Sequence, residues 1–465
     1  MTNDPENGVS RRGFVAGAAA LAASTLWTPG ARGETLPEDG WDAVPGILRR
    51  IQAPVFPNRT YRVTDFGARG DGRSDARQAF ERAIDRCNAE GGGRVVVPAG
   101  TWWTEGPIHL KSNVHLHLED GATIRFTPDP KRYPLVLTKW EGTECFNHSP
   151  MVYAYQASNV AITGRGTLDG NSRETFATWK PRQAEAQNRL REMGAADTPL
   201  YQRVFGEGSY LRPVMIQFFG CRNVHLEGFT VVDSPFWIVH PLYCQNVIAR
   251  GLRMESRNLN NDGVDPESST DVLIENCVFH TGDDGVAVKA GRDRDAWRVG
   301  RATENVIVRN CDMSSDANGL VIGSEMSGGV RGVYMENCRI GNATNSAIYF
   351  KSNLDRGGSV ERIRIRNVQV ADAGTFIHFT TRYQGYRGGQ SPTRFQDIVL
   401  DGITCRSTRK AIHAVGVPEA KLRDVLLRRI SVERADVSHE IAHVENFTLR
   451  DVRINGTPVT LPAQG

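Results

Sequence analysis

One short unit recurs along this chain and narrows the folds open to it. NVHLHLEDG (113–121), NVAITGRGTLDG (159–170), NVHLEGFTVVDS (223–234) and NVIARGLRMES (246–256) share an opening, an alternation and a bend. DVLIENCVF (271–279), NVIVRNCDM (305–313), GVYMENCRI (332–340) and RIRIRNVQV (362–370) continue the series. DIVLDGITC (397–405) and DVLLRRISV (424–432) follow, and most unit starts lie 23 to 35 residues apart. In each unit apolar residues alternate with polar ones, Asn or Gly marks a bend, and a second short strand follows. A strand-only repeat of this length cannot bury its apolar face alone. Stacked on copies of itself it makes one continuous core, so the expected fold is all-β, a parallel β-helix.

Features outside the repeat qualify this picture. In DFGARGDGRSDARQAFERAIDRCNAEGGGRVVVPAGTW (65–102), Ser74 or Asp75 can cap a helix of about 75–89, and GGG ends it. Such an N-terminal capping helix plugs the open end of a solenoid, which otherwise exposes core and strand edge. The polar, helix-favouring stretch 172–205 interrupts the series and reads as an insertion on the binding face. Asn276, Asn310, Asn337 and Asn367 fall at one place in successive units, where stacked amides can hydrogen-bond as a ladder. The eight cysteines include Cys277, Cys311 and Cys338 in that same context. They read as buried free thiols, with a bridge elsewhere left open, and no CxxC pair suggests zinc.

The segment SRRGFVAGAAALAAS (10–24) pairs two arginines with an alanine-rich run, the pattern of a Tat export signal. Cleavage near Gly33 would leave 34–465 as a single catalytic domain, periplasmic or secreted. The run is too short and weakly apolar to span a membrane. A formal net charge of +3 gives no global pull toward nucleic acid or membrane, and a monomer is expected.

The chemistry concentrates in NNDGVDPESSTDVLIENCVFHTGDDGVAVKAG (260–291). Asp262 and the pair Asp283-Asp284 flank one strand, so they sit about one coil apart. Stacked strands are about 4.7–4.9 Å apart, which lets the three carboxylates meet on one outer face. Mutual repulsion should hold at least one of them protonated. An acid beside a carboxylate is the equipment for glycoside hydrolysis. The plainer reading is that these aspartates make Asx-turns at bends, and for Asp265 the two readings weigh equally.

At these residues the chain resembles the polygalacturonase family, glycoside hydrolase family 28, and in particular its bacterial, exo-acting branch. The family's NTDGxD resembles NNDGVD (260–265), and its GDD is Gly282-Asp283-Asp284. GLVIGSEMSGGVRGV (319–333) resembles the bacterial members too. The resemblance implies a right-handed, pectin-lyase-like solenoid and an acidic plant cell-wall polysaccharide or oligosaccharide as substrate. It implies Asp283 as general acid, Asp262 and Asp284 as the pair activating water with inversion, and neither cofactor nor metal. Close spacing of carboxylates would by itself associate with retention, so inversion rests on the resemblance. Two positions depart from the family. Asn318 stands where a histidine is usual, and Tyr349 where an arginine precedes the retained Lys351. The guanidinium fork for a sugar carboxylate is therefore missing. Lys289, Arg292, Arg356 and Arg382 are candidate replacements. Asn260, Asn318, Tyr349, Lys351, Lys289, Arg382 and Tyr383 are the candidate substrate contacts, with Trp237 balanced between core and site. Two alternatives stand beside this reading: a calcium-dependent polysaccharide lyase on the same fold, and a non-catalytic carbohydrate-binding β-helix.

Overall fold

The computed structural model describes residues 39–461. The export signal expected over 1–33 lies outside them. From Thr60 onward the chain winds into a right-handed parallel β-helix with three strand faces per coil. The first face stacks Val114–Leu118, Ser158–Gly164, Arg222–Glu227, Gln245–Arg250, Thr270–Glu275 and Thr303–Arg309. The register is strict: Val224, Val247, Val272, Val306 and Val333 lie directly over one another, each at most 1% exposed. Burying such a side chain contributes about 1.5–3 kcal/mol, so the repeated alternation provides the driving force the sequence advertises. The second face stacks Leu168, Val231, Met254, Phe279, Met313 and Ile340 in the same way. The third stacks Ile216, Val239, Val264, Val286, Leu320, Ile348 and Ile377.

The bends explain the recurrent asparagines. Asn276, Asn310, Asn337 and Asn367 all take the left-handed conformation, φ 53–57°, which Asn tolerates better than other residues with a Cβ. They are exposed, and one ladder bond joins them, Asn367 to Asn337 at 3.3 Å. The continuous amide ladder forms instead at the residue that opens each unit. Asn159 donates to Asn113, Asn223 to Asn159 and Asn246 to Asn223, at 2.8–2.9 Å.

The capping helix spans Arg77–Ala89 (α2), with Phe80 and Ile84 turned into the core. Its N-cap position is Ala76, yet the Asp75 carboxylate accepts the Arg77 N–H at 2.9 Å. A helix the repeat does not announce, Ala43–Arg50 (α1), packs Val44 and Ile47 on the outer side of the first face, against Ile248, Leu273 and Ile307. The insertion folds into a 3-10 segment, Phe176–Arg182, and the helix Ala184–Ala195 (α3). A short helix, Asp293–Val299 (α4), follows the acidic motifs. All eight cysteines are buried and free, so the bridge left open by the sequence does not form. Among the described residues no helix is long and apolar enough to cross a membrane.

One feature of the third face positions the site. An antiparallel hairpin, Leu135–Trp140 with Thr143–His148, lies over its N-terminal coils. Gln217 and His240 point away from the core there but are 0% exposed. Thr138 donates to Gln217 at 2.7 Å, and Lys139 pairs with Glu267 at 2.8 Å. The groove along this face is thereby closed on one side of the acidic motifs.

Candidate active site

The acidic motifs converge because both precede strands of the third face by the same number of residues. Val264, Val286, Leu320 and Ile348 form its core column. Two positions upstream of each stand Asp262, Asp284, Asn318 and Ser346, stacked through Gly263 N–H to Asp284 O and Gly285 N–H to Asn318 O. Asp283, one residue earlier, completes the group. One oxygen from each of Asp262, Asp283 and Asp284 lies within 4.8 Å of the other two. The glycines of both motifs make this approach possible. A Cβ on Gly263 would stand 2.4 Å from both the Gly285 carbonyl oxygen and the Phe279 ring.

Two lysines hold the group. Lys289 Nζ is 3.3 Å from Asp262 and 3.4 Å from Asp265, and it lies 4.5 Å from the centre of the Trp237 ring. Lys351 Nζ donates to Asp284 Oδ2 at 2.9 Å, and Asn318 Nδ2 donates to Oδ1 at 2.6 Å. Asn260 Nδ2 donates to Asp283 Oδ2 at 3.1 Å, and Arg212 fixes Asn260 from behind at 2.6 Å.

These contacts separate two adjacent carboxyls. Burial, and then the Asp284 charge, push Asp283 up to about 7 against the pull of Lys351. Burial would also raise Asp284, but Lys351 and Lys289 outweigh it and hold Asp284 below the usual carboxylate range. Burial lifts Asp262 well above that range, with Asp265 and Asp283 adding to it. Asp265 itself rises to about 8 through burial that Lys289 offsets only in part. The cluster thus holds a firm carboxylate, Asp284, beside a proton donor, Asp283. That division is what acid–base cleavage of a glycosidic bond requires.

The donor set suits a divalent cation poorly. Lys289 and Lys351 already engage oxygens of Asp262 and Asp284, and Asp283 keeps its proton to about pH 7. A calcium ion takes 6–8 oxygens from carboxylates, carbonyls and waters. This weighs against the lyase alternative, which needs calcium-ligating aspartates.

The cleft above the trio has a volume of about 320 Å³. Trp237, Asn260, Asp262, Asp283, Asp284 and Lys289 line it, so Trp237 is buried and part of the site at once. Lys351 and Tyr383 line it as well, with Tyr383 presenting its ring 5.3 Å from Lys351 Nζ. Arg292 and Arg356 also border it. Three expected contacts lie elsewhere. Asn318 is buried behind Asp284. Tyr349 stacks on His378, ring centres 4.1 Å apart, outside the lining. Arg382 is exposed and does not border the cleft. The structure adds residues that spacing alone does not reveal: Lys180, Gln187 and Arg191 from the insertion, Glu141 from the hairpin, and Glu325 from the GLVIGSE stretch. The assignment of 172–205 to the binding face was the available signal for the first three. A second groove of about 630 Å³ runs beside residues 53–60, but its one carboxylate, Glu227, is bonded to His225.

A parallel β-helix with an acid and a lysine-held carboxylate in a cleft closed on one side defines a β-helical glycosidase. The chain belongs to Glycosyl hydrolases family 28, whose profile matches residues 87–452. It is similar to the hyperthermoactive exopolygalacturonase from Thermotoga maritima, at 39% identity and TM-score 0.82 over 88% of this chain and 96% of that one. It is 27% identical to a probable polygalacturonase of Vitis vinifera, over 90% of this chain and 84% of that protein. It is 25% identical to the exo-poly-alpha-D-galacturonosidase of Dickeya chrysanthemi, over 78% of this chain and 65% of that protein.

Proposed function

We propose that this glycosidase is an exo-acting polygalacturonase, removing uronate residues from the end of a galacturonan chain with inversion. The observation that carries the substrate class is the charge of the cleft. Six cations, Lys180, Arg191, Lys289, Arg292, Lys351 and Arg356, border it against five carboxylates. Asp283 holds its proton to about pH 7, so the cleft is net positive and suits an acidic sugar. The closed groove supports exo action, since a chain cannot run past the hairpin that buries Gln217 and His240. In this reading Asp283 protonates the leaving oxygen. Asp284 takes the proton of the attacking water, which Asp262 orients from the next coil. Inversion follows from the family resemblance.

Incubation with polygalacturonate tests the whole reading. Monogalacturonate should be the sole early product, and proton NMR should show the inverted anomer first. A spread of oligomers would remove the exo assignment, and an unsaturated product absorbing in the ultraviolet would install the lyase. Chelation should leave turnover unchanged. Binding without any new reducing ends would instead favour the carbohydrate-binding alternative. We further propose Tat export of a monomer to the periplasm or beyond, on the strength of Arg11 and Arg12 before the alanine-rich run. Replacing both with lysine should leave the protein in the cytoplasm.

A further inference from the structure

A cleft for an acidic sugar needs a cation free to meet the carboxylate, and the expected ones are engaged. Lys289 is held by Asp262 and Asp265, and Lys351 by Asp284. Arg292 pairs with Glu325, Arg356 with Asp293 at 2.6 Å, and Arg191 with Glu141 at 2.7 Å. Tyr349 carries no charge, and Arg382 lies outside the cleft.

Lys180 is different. It borders the cleft, is half-buried, and its side chain makes neither a hydrogen bond nor an ion pair among the described residues. It lies close enough to Asp283 and Glu141 to feel their charge without contacting either. Its backbone is firmly seated. Phe176 and Trp179 of the same 3-10 segment are buried, with ring contacts to Tyr133, His148 and Tyr210 at 5.5–5.8 Å. The ammonium is therefore presented on a rigid support beside the proton donor. Burial draws its pKa below the ordinary lysine value, a cost that an arriving anion would offset.

We propose that Lys180 is the carboxylate receptor of this cleft, binding the C6 carboxylate of the uronate held next to Asp283. It takes over, from an insertion, the role left open where Tyr349 stands. The inference rests on the uronate-hydrolase reading, and it assigns a specificity-determining residue to a segment outside the strand repeat.

Calorimetry on Asp283→Asn protein, which keeps the shape but does not consume the sugar, is run with trigalacturonate and with its fully methyl-esterified form. With Lys180 in place the protein should prefer the acid. Lys180→Gln should weaken acid binding about 10- to 100-fold, the range of one charge-assisted hydrogen bond, and leave the ester nearly unchanged. Lys180→Arg should recover most of the preference. Equal acid affinity with and without Lys180 would overturn the assignment, as would an equal loss for acid and ester. Hydrolysis is scored separately, with Asp283 in place. A protein that binds trigalacturonate through Lys180 yet releases no sugar would refute the hydrolase reading and keep the carboxylate receptor.

Discussion

Asp283 and Asp284 are neighbours in the chain with opposite tasks, and their partners decide which is which. Asp284 receives Lys351 and Asn318, while Asp283 faces its neighbour's charge from a half-buried position. Asp283→Asn keeps the shape and removes the acid, so turnover should fall by about 10²–10⁴ while circular dichroism stays unchanged. The pH profile follows from the same contacts. Asp283 is raised, so its acidic form is present below about 7 and lost above it; kcat/KM should decline on the alkaline side near that value. Asp284 is depressed, so its working carboxylate is lost only as pH falls through that lowered value. Asn318→Leu removes a hydrogen bond that stabilises the ionised form. The acid limb should then move to higher pH while the alkaline limb stays, a change read directly from kcat/KM against pH. A variant whose limbs both stay in place would show that Asn318 does not tune Asp284.

At the level of elements, the coils make the cleft and the additions to them shape it. The core columns bring Asp262 and Asp284 into line, but the hairpin and α3 turn an open groove into a pocket. The N-terminal end is finished by α2, where Phe80 is 1% exposed. Truncating such an aromatic leaves a cavity and typically costs about 3–5 kcal/mol. Phe80→Ala should lower the thermal midpoint clearly without changing the products released, because α2 contributes nothing to the cleft lining. Loss of product specificity in a folded Phe80→Ala protein would contradict this separation of cap and site.

The described coils form one stack, with a core that runs from Tyr61 to Ile454. Its eight thiols lie inside or against that stack and none is bridged. Dithiothreitol should therefore leave the thermal midpoint unchanged. A thiol reagent should find eight reactive groups after unfolding and almost none before. A midpoint that drops under reductant would mean a bridge between thiols that the structure shows as free.

Much of this was legible in the chain itself. Period-2 alternation repeated at short intervals allows one economical way to bury every apolar face, so the β-helix and its register followed from local pattern. The acidic trio followed as well, because a fixed offset from each strand repeats through the stack. Its partners did not. Lys180, Glu141 and Arg191 reach the cleft from segments outside the repeat, and nothing local states where an insertion lands. Asn318 and Tyr349 belonged to the right face, yet only packing showed one behind Asp284 and the other stacked on His378. The amide ladder moved from the expected bend to the unit opening because an exposed bend satisfies its asparagine with water, while the half-buried opening needs a neighbour's amide. Sequence by itself determined the coil, the core columns and the three carboxylates, since each depends on residues at fixed short separations. Tertiary structure alone decided which carboxyl keeps its proton, which side of the groove is closed and which lysine is left free, since burial and ion pairing depend on residues far apart in the chain.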